Sequence, residues 1–564
     1  SYSYVWYGAP LGGRPTKPPV TRPVGSLLAA DASATYVTSP DHVGRRIDKV
    51  TFWRKPRVCD SFLVTEIERA RQRACKVDSH GYDYEEAIKT VRPHAAMGWG
   101  SNVSVSKLAT PEGKNAVYER LNDIVAQKEI PFTLTMKKEV FFKDRAEPKA
   151  PRLICFPPLD FRVCEKLILG DPGRVAKAVL GPAYAFQYTP NQRVKTLVEM
   201  WKRKRTPCSI TVDATCFDSS ITEEDVELET ELYALASNKP ELVKALGKYY
   251  AAGPMVNPEG IPVGERRCRS SGVLTTAASN SISCFIKVSA ACARIGLRDV
   301  EMLVAGDDCI IICERPISDP CVELEMALRS YGYNTEPKFH VSLDTANFCS
   351  TWLAECNADG SRHYFLTTDM RKALARMSSE YSDPIASALG YTLLYPWHPI
   401  IRWVVLPHLL NVAFRGGGKP DDPVWCQVHG NYYKFPLSLL PRIIVSLHGP
   451  AALRVTADTT KTKMEAGQTL AAFKLPGLAT HRRKAGALRT RMLRAGGGWA
   501  ELARGLLWHP GLRLKPPNYN SLPGGFPLGE PYYGVYFELE EPGLRRRWHW
   551  LWGLIPFLIV AIFG

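Results

Sequence analysis

Met302-Leu303-Val304-Ala305-Gly306-Asp307-Asp308-Cys309-Ile310-Ile311-Ile312-Cys313 is the stretch whose reading decides the fold. Two apolar runs of strand-forming residues flank a Gly-Asp pair. That is the pattern of a β-hairpin closed by a tight turn. The hairpin brings two carboxylates, Asp307 and Asp308, to the end of an otherwise greasy sheet. Two adjacent anions are costly to bury unpaired, so a cation is expected beside them. Hard divalent ions that prefer oxygen ligands, Mg²⁺ or Mn²⁺, fit best. Gly-Asp-Asp also occurs as a plain solvated turn, so the reading needs a second acidic strand end.

Cys208-Ser209-Ile210-Thr211-Val212 supplies one, a short strand pattern that ends at Asp213. Two-metal phosphoryl transfer uses shared carboxylates to hold ions about 3.5–4 Å apart. Asp218, five residues on, is too distant along the chain to share Asp213's metal position and suits a hydrogen bond to substrate. A capped turn before the acidic helix Thr222-Glu223-Glu224-Asp225 explains Thr222 and Glu224 equally well, but not Asp213. A third segment runs from the basic Arg266-Arg267-Cys268-Arg269 through Ser270-Ser271-Gly272-Val273-Leu274-Thr275-Thr276-Ala277-Ala278-Ser279-Asn280, then into a helix-like apolar stretch to about Ala293. Gly272 permits close backbone approach. Ser271, Thr276 and Asn280 are neutral groups of the kind that read hydroxyls. A Ser/Thr-rich loop capping a buried helix is the plainer alternative.

Taken together, Asp-x4-Asp, then Ser-Gly-x3-Thr-x3-Asn, then Gly-Asp-Asp resembles the palm of viral RNA-dependent RNA polymerases. The likeness of Asp213-Ala-Thr-Cys-Phe-Asp218-Ser-Ser, Cys268-Arg-Ser-Ser-Gly-Val-Leu-Thr-Thr276, Arg162-Val-Cys-Glu-Lys166 and the opening Ser1-Tyr-Ser-Tyr-Val-Trp-Tyr-Gly8 is to the hepacivirus/pegivirus branch of the flavivirus family, most like a pegivirus (GB virus) polymerase. By that resemblance Asp213, Asp307 and Asp308 are the catalytic carboxylates and hold two ions, Mg²⁺ or Mn²⁺. Asp218, Ser271, Asn280 and Thr276 recognise the nucleotide, and a 2′-hydroxyl is what marks it as ribose. Ser279 stands where the hepatitis C type has glycine. Lys137, Lys149 and Arg152, in an alternating cationic and apolar region that suits a strand pair, match the residues that meet the incoming triphosphate. Arg46 and Lys49 match a further cationic contribution. Cys349 and Ser350 match a turn that grips the primer end. Arg376 matches one of two arginines on the initiating nucleotide; Thr368 replaces the other, with Arg371 or Lys372 available to compensate.

The resemblance implies an α+β right-hand polymerase of fingers, palm and thumb with an encircled active site. Fingers with an amino-terminal arm take residues 1–181, palm 182–219, a second fingers segment 220–276 and palm again 277–355. A helical thumb with a β-hairpin takes 356–530, a linker 531–547 and a hydrophobic tail 548–564. Trp425 to Tyr433, with His429 and Gly430 at the tip, reads as the hairpin. By resemblance it blocks duplex product before primer-independent initiation.

Composition agrees with a polyanionic partner: 564 residues carry a net charge of +16. The runs Trp201-Lys-Arg-Lys-Arg205 and His481-Arg-Arg-Lys484 could touch phosphate or face solvent. Fifteen cysteines without CxxC pairs suit a reducing cytosol rather than disulfides or zinc. No signal-peptide pattern opens the sequence. Leu544-Arg-Arg-Arg547 leads into an apolar, Trp-rich end, Trp548 to Gly564, somewhat short of the roughly 20 residues of a spanning helix. It reads as a tail anchor on the cytoplasmic face of a host intracellular membrane. The expected partners are a single-stranded RNA template, ribonucleoside triphosphates, that membrane and other viral replication proteins. Two rivals stand beside this reading: a reverse transcriptase, and a non-catalytic RNA-binding protein with a decayed palm.

Overall fold

The computed structural model describes residues 1–8, 11, 35–142, 146–343, 345–358, 361–368, 373, 384–395, 423–428, 431–436, 513–515 and 538–540. The apolar run around Gly306 forms the hairpin. Strands Glu301–Ala305 and Asp308–Glu314 pair antiparallel with Ala305 opposite Asp308, and Gly306-Asp307 makes the turn. Gly306 has φ +64°, a conformation in which a Cβ crowds the following carbonyl oxygen, so glycine is what lets the turn close in two residues. The turn is held from two sides. The Gly306 amide donates to Ser281 Oγ at 2.9 Å, and the Tyr333 hydroxyl donates to the Asp307 carbonyl at 2.9 Å.

The hairpin is half of a four-stranded antiparallel sheet ordered Thr335–His340, Pro207–Ala214, Asp308–Glu314, Glu301–Ala305. Cys208 to Val212 are buried without a break, so both faces of this strand are covered. Helices Thr276–Ile295 and Pro190–Lys202 pack against the sheet. The helix Thr276–Ile295 stops at Gly296, which takes the left-handed C-cap conformation. Helix Glu223–Ala236 begins with a capping box between Thr222 and Asp225, as the capped-helix reading of Thr222 expects.

A five-stranded sheet gathers distant parts of the chain in the order Tyr4–Trp6, Pro262–Arg266, Gly253–Val256, Phe132–Met136, Leu153–Phe156. The expected pairing within the basic region is corrected here. Leu153–Phe156 pairs with Phe132–Met136, and Val140–Phe142 pairs instead with Thr35–Val37. Lys137 and Arg152 therefore flank one pair at its end, where the Lys137 amide donates to the Arg152 carbonyl at 2.8 Å. In the run at 201–205, Lys202, Arg203 and Arg205 are exposed and Lys204 is buried; Arg203 and Lys204 both bond Glu301, each at 2.6 Å.

Beyond the four-stranded sheet, Thr351–Ala358 pairs with Ser361–Thr368, and the expected hairpin is present as Pro423–Val428 against Asn431–Pro436. Part of the expected linker, Glu538–Glu540, forms a strand against Arg513–Lys515, which runs parallel to Thr351–Ala358. His429, Arg371, Lys372, Arg376, the run at 481–484, most of the expected thumb and the tail 548–564 lie outside the described residues. Among the described residues no helix is long and apolar enough to cross a membrane.

Candidate active site

Register alone brings the carboxylates together. Cys309 sits opposite Val212 on the neighbouring strand; one step outward along both strands come Asp308 and Asp213. Asp307 occupies the hairpin turn beside them. Asp213 and Asp307 are exposed to solvent and Asp308 is half-buried. The crowding shows in their acidity. Burial, then the charges of Asp307 and Asp213, push the Asp308 carboxyl up to about 7, although the Cys349 amide donates to it. Burial and then Asp218 push Asp307 up as well, with Arg152 pulling the other way.

Asp218 lies in the short helix Phe217–Ser220, reached through Cys216 at φ +49°. This left-handed step swings the chain back toward the hairpin. Asn280 Nδ2 donates to Asp218 Oδ1 at 2.9 Å, and Asn280 Oδ1 accepts from Arg269 Nε at 2.8 Å. Burial pushes the Asp218 carboxyl up against the pull of Asn280 and Arg269. Ser271 Oγ accepts from the Cys155 amide at 3.0 Å, and the Gly272 amide donates to the Cys155 carbonyl at 2.8 Å. The loop thus lies against strand Leu153–Phe156, and at Gly272 a Cβ would stand 2.4 Å from that of Phe156. The Thr276 hydroxyl donates to the carbonyls of Ser270 (2.8 Å) and Val273 (3.0 Å), bracing the loop. Ser279, the residue in place of glycine, bonds the Tyr233 hydroxyl at 2.8 Å in the core.

The expected cations divide into two groups. Arg152 acts electrostatically on both Asp307 and Asp218, while its guanidinium is held by both oxygens of Glu139. Lys137 reaches the same Glu139 at 3.6 Å. Burial pushes Glu139 up, and Arg152 and Lys137 outweigh it to hold the carboxyl low. Arg46 and Lys149 are committed to shaping the adjoining loop: Arg46 donates to the carbonyls of Ala150 and Pro151 (3.1 and 3.2 Å), and the Lys149 ammonium sits 4.6 Å from the Phe141 ring centre. Lys49 is exposed on helix Val43–Val50.

Cys349 and Ser350 form a turn with consecutive left-handed residues, φ +54° and +58°. Thr368 Oγ1 donates to the Ser350 carbonyl at 3.0 Å, closing the turn from the partner strand. Sequence reasoning missed Arg193. It projects from helix Pro190–Lys202, with its guanidinium 5.8 Å from the Phe348 ring centre, and its charge is felt by Asp308 and Cys349. In the sequence it is one more cation on an amphipathic helix. Glu139 was equally hidden, since an acid among lysines looks like surface balance.

An all-oxygen set of Asp213, Asp307 and Asp308 has the donor chemistry for Mg²⁺ or Mn²⁺, and an added cation would relieve the repulsion that lifts Asp308. Among the described residues no group of three acidic, His or Cys side chains stands preset as a metal cluster.

The sequence profile described as viral RNA dependent RNA polymerase matches residues 3–495. The genome polyprotein of hepatitis C virus genotype 3a (isolate NZL1) is 33% identical over 550 residues, 93% of this chain and 18% of the polyprotein. That of genotype 6h (isolate VN004) is 33% identical over 592 residues, 100% of this chain and 19% of the polyprotein. The chain therefore spans about a fifth of the length of these relatives. With the match covering the strand-borne carboxylates, the Asn280 loop and the five-stranded sheet alike, the chain belongs to the viral RNA-dependent RNA polymerase family.

Proposed function

We propose that this chain copies a single-stranded RNA template into RNA from ribonucleoside triphosphates, as the replicase of a viral genome. The observation that carries this is the meeting of Asp213 with Asp307 and Asp308 on adjacent strands, with the Asp218–Asn280 pair beside them. A binding module for RNA gains nothing from clustered anions facing a polyanion, which weighs against the non-catalytic rival.

Asp213, Asp307 and Asp308 would hold two divalent ions, Mg²⁺ or Mn²⁺, which supply Lewis acidity at the attacking 3′-hydroxyl and the phosphates. Arg152 and Lys137, released from Glu139, orient the triphosphate and offset its charge. Asp218, Asn280 and Ser271 meet the ribose hydroxyl. The Cys349–Ser350 turn holds the primer end, with Arg193 behind it. Synthesis begins without a primer, with the 425–433 hairpin as a stop for duplex and Arg376 on the initiating nucleotide. The domains fold as fingers, palm and thumb around the site, and the tail 548–564 tethers the enzyme to the cytoplasmic face of a host membrane beside other replication proteins. The 33% identity to the hepatitis C polyproteins supports a place in the hepacivirus/pegivirus branch; within it, the pegivirus origin rests on the motif resemblance alone.

The test offers NTPs and 2′-deoxy-NTPs in parallel on one RNA template. Preferential incorporation of NTPs is expected. Preference for deoxynucleotides would replace this reading with a reverse transcriptase.

A further inference from the structure

Asn280 has one donating and one accepting end, and which end meets Asp218 decides what Asp218 offers to a substrate. Arginine has donors only. Because Arg269 Nε donates to Asn280 Oδ1, the amide nitrogen is forced to face Asp218, where it donates to Oδ1. Reversed, the amide would set oxygen against carboxylate on one side and N–H against guanidinium on the other. The fixed orientation holds Asp218 as an acceptor, the role a ribose hydroxyl needs.

Arg269 is itself immobilised. Its Nη1 and Nη2 grip the two carboxylate oxygens of Glu229, and its amide donates to the Asp218 carbonyl at 3.2 Å. The side chains of Arg269 and Glu229 are 2% and 4% exposed, so neither can touch substrate. Glu229 lies one helical turn beyond Asp225, which bonds Lys287 at 3.0 Å and also pairs with Arg57. Alternating charges thus pin Glu229 from behind. A fork that satisfies Glu229 and Asn280 at once requires a planar guanidinium; a lysine ammonium is a compact point donor.

We propose that the buried Glu229–Arg269 pair is the positioning device for sugar selectivity: it locks the Asn280 amide so that Asp218 faces the nucleotide as an acceptor for the 2′-hydroxyl. This rests on the reading of Asp218 and Asn280 as the ribose-recognising pair.

The experiment measures kcat/KM for CTP and 2′-deoxy-CTP with the full chain carrying Arg269→Lys, Asn280→Ala or both. Arg269→Lys is expected to lower the CTP preference about tenfold, the worth of one well-aligned hydrogen bond. Asn280→Ala should lower it too, and adding Arg269→Lys to Asn280→Ala should change the preference no further. If Arg269→Lys does not fold, Glu229→Gln replaces it with the same expected direction. A preference that falls with Asn280→Ala but not with Arg269→Lys or Glu229→Gln would overturn the positioning role and leave the ribose reading standing. A preference unmoved by all of them would overturn both. Equal, additive losses in the double variant would reduce Arg269 to general scaffolding and also overturn the proposal.

Discussion

Asp308 carries the clearest electrostatic signature of the site. With its native carboxyl pushed up to about 7, the folded protein holds a proton that the unfolded chain, near pH 4, has already lost. Between those values the native state binds more protons, so stability falls as pH rises through the window and the full penalty applies above it. Asp308→Asn should therefore raise the Tm of metal-free protein at pH 8, and the gain should fade toward pH 5; thermal scans in chelator at both pH values check this. Excess Mg²⁺ should shrink the difference by favouring the wild type. Arg152→Ala should raise KM for NTPs roughly 10- to 100-fold, the worth of a charge-assisted contact, read from initial rates. At this scale the sequence was informative about the carboxylates, because Asp307 and Asp308 interrupt an apolar pattern. It was silent about Arg193, Glu139 and the Glu229–Arg269 pair, whose partners come from other elements and leave no local mark.

Elements were legible where local pattern and long-range pairing coincide. The Gly306 hairpin needs only its own neighbours, and Pro207–Ala214 declares itself by an unbroken buried run. Val140–Phe142 looked like half of a local strand pair, yet its partner Thr35–Val37 lies about a hundred residues earlier, beyond any periodicity argument. The Ser270–Thr276 loop depends on one close approach. Gly272→Ala would press a Cβ onto Phe156 and the Cys155 carbonyl, 2.4 and 2.7 Å away, and overpacking of this kind costs about 1–3 kcal/mol. Urea unfolding should show that loss, with activity falling more steeply than stability as Ser271 is displaced. Glu165 ties the same loop to helix Leu159–Leu169: its Oε1 accepts from the Leu274 amide at 3.0 Å and the Tyr250 hydroxyl at 2.5 Å. Burial pushes its carboxyl up to about 7. By the same sign argument, Glu165→Gln should be stabilising at pH 8 and nearly neutral at pH 5, checked by unfolding at both.

For the whole molecule, net charge pointed toward a polyanionic partner, and the polymerase-family match over residues 3–495 agrees. How the five-stranded sheet is assembled was not legible beforehand, because Tyr4–Trp6 and Pro262–Arg266, far apart in sequence, meet only in three dimensions. The central claim is that the carboxylates of two adjacent strands drive templated RNA synthesis. Its most direct test gives the purified chain single-stranded RNA, Mg²⁺ or Mn²⁺ and labelled NTPs without primer, beside Asp307→Asn. Template-length complementary RNA is predicted, reduced at least about 100-fold in the variant, the usual scale for losing an electrostatic transition-state contact. Equal synthesis by Asp307→Asn, or RNA binding with no product under any condition, would contradict it.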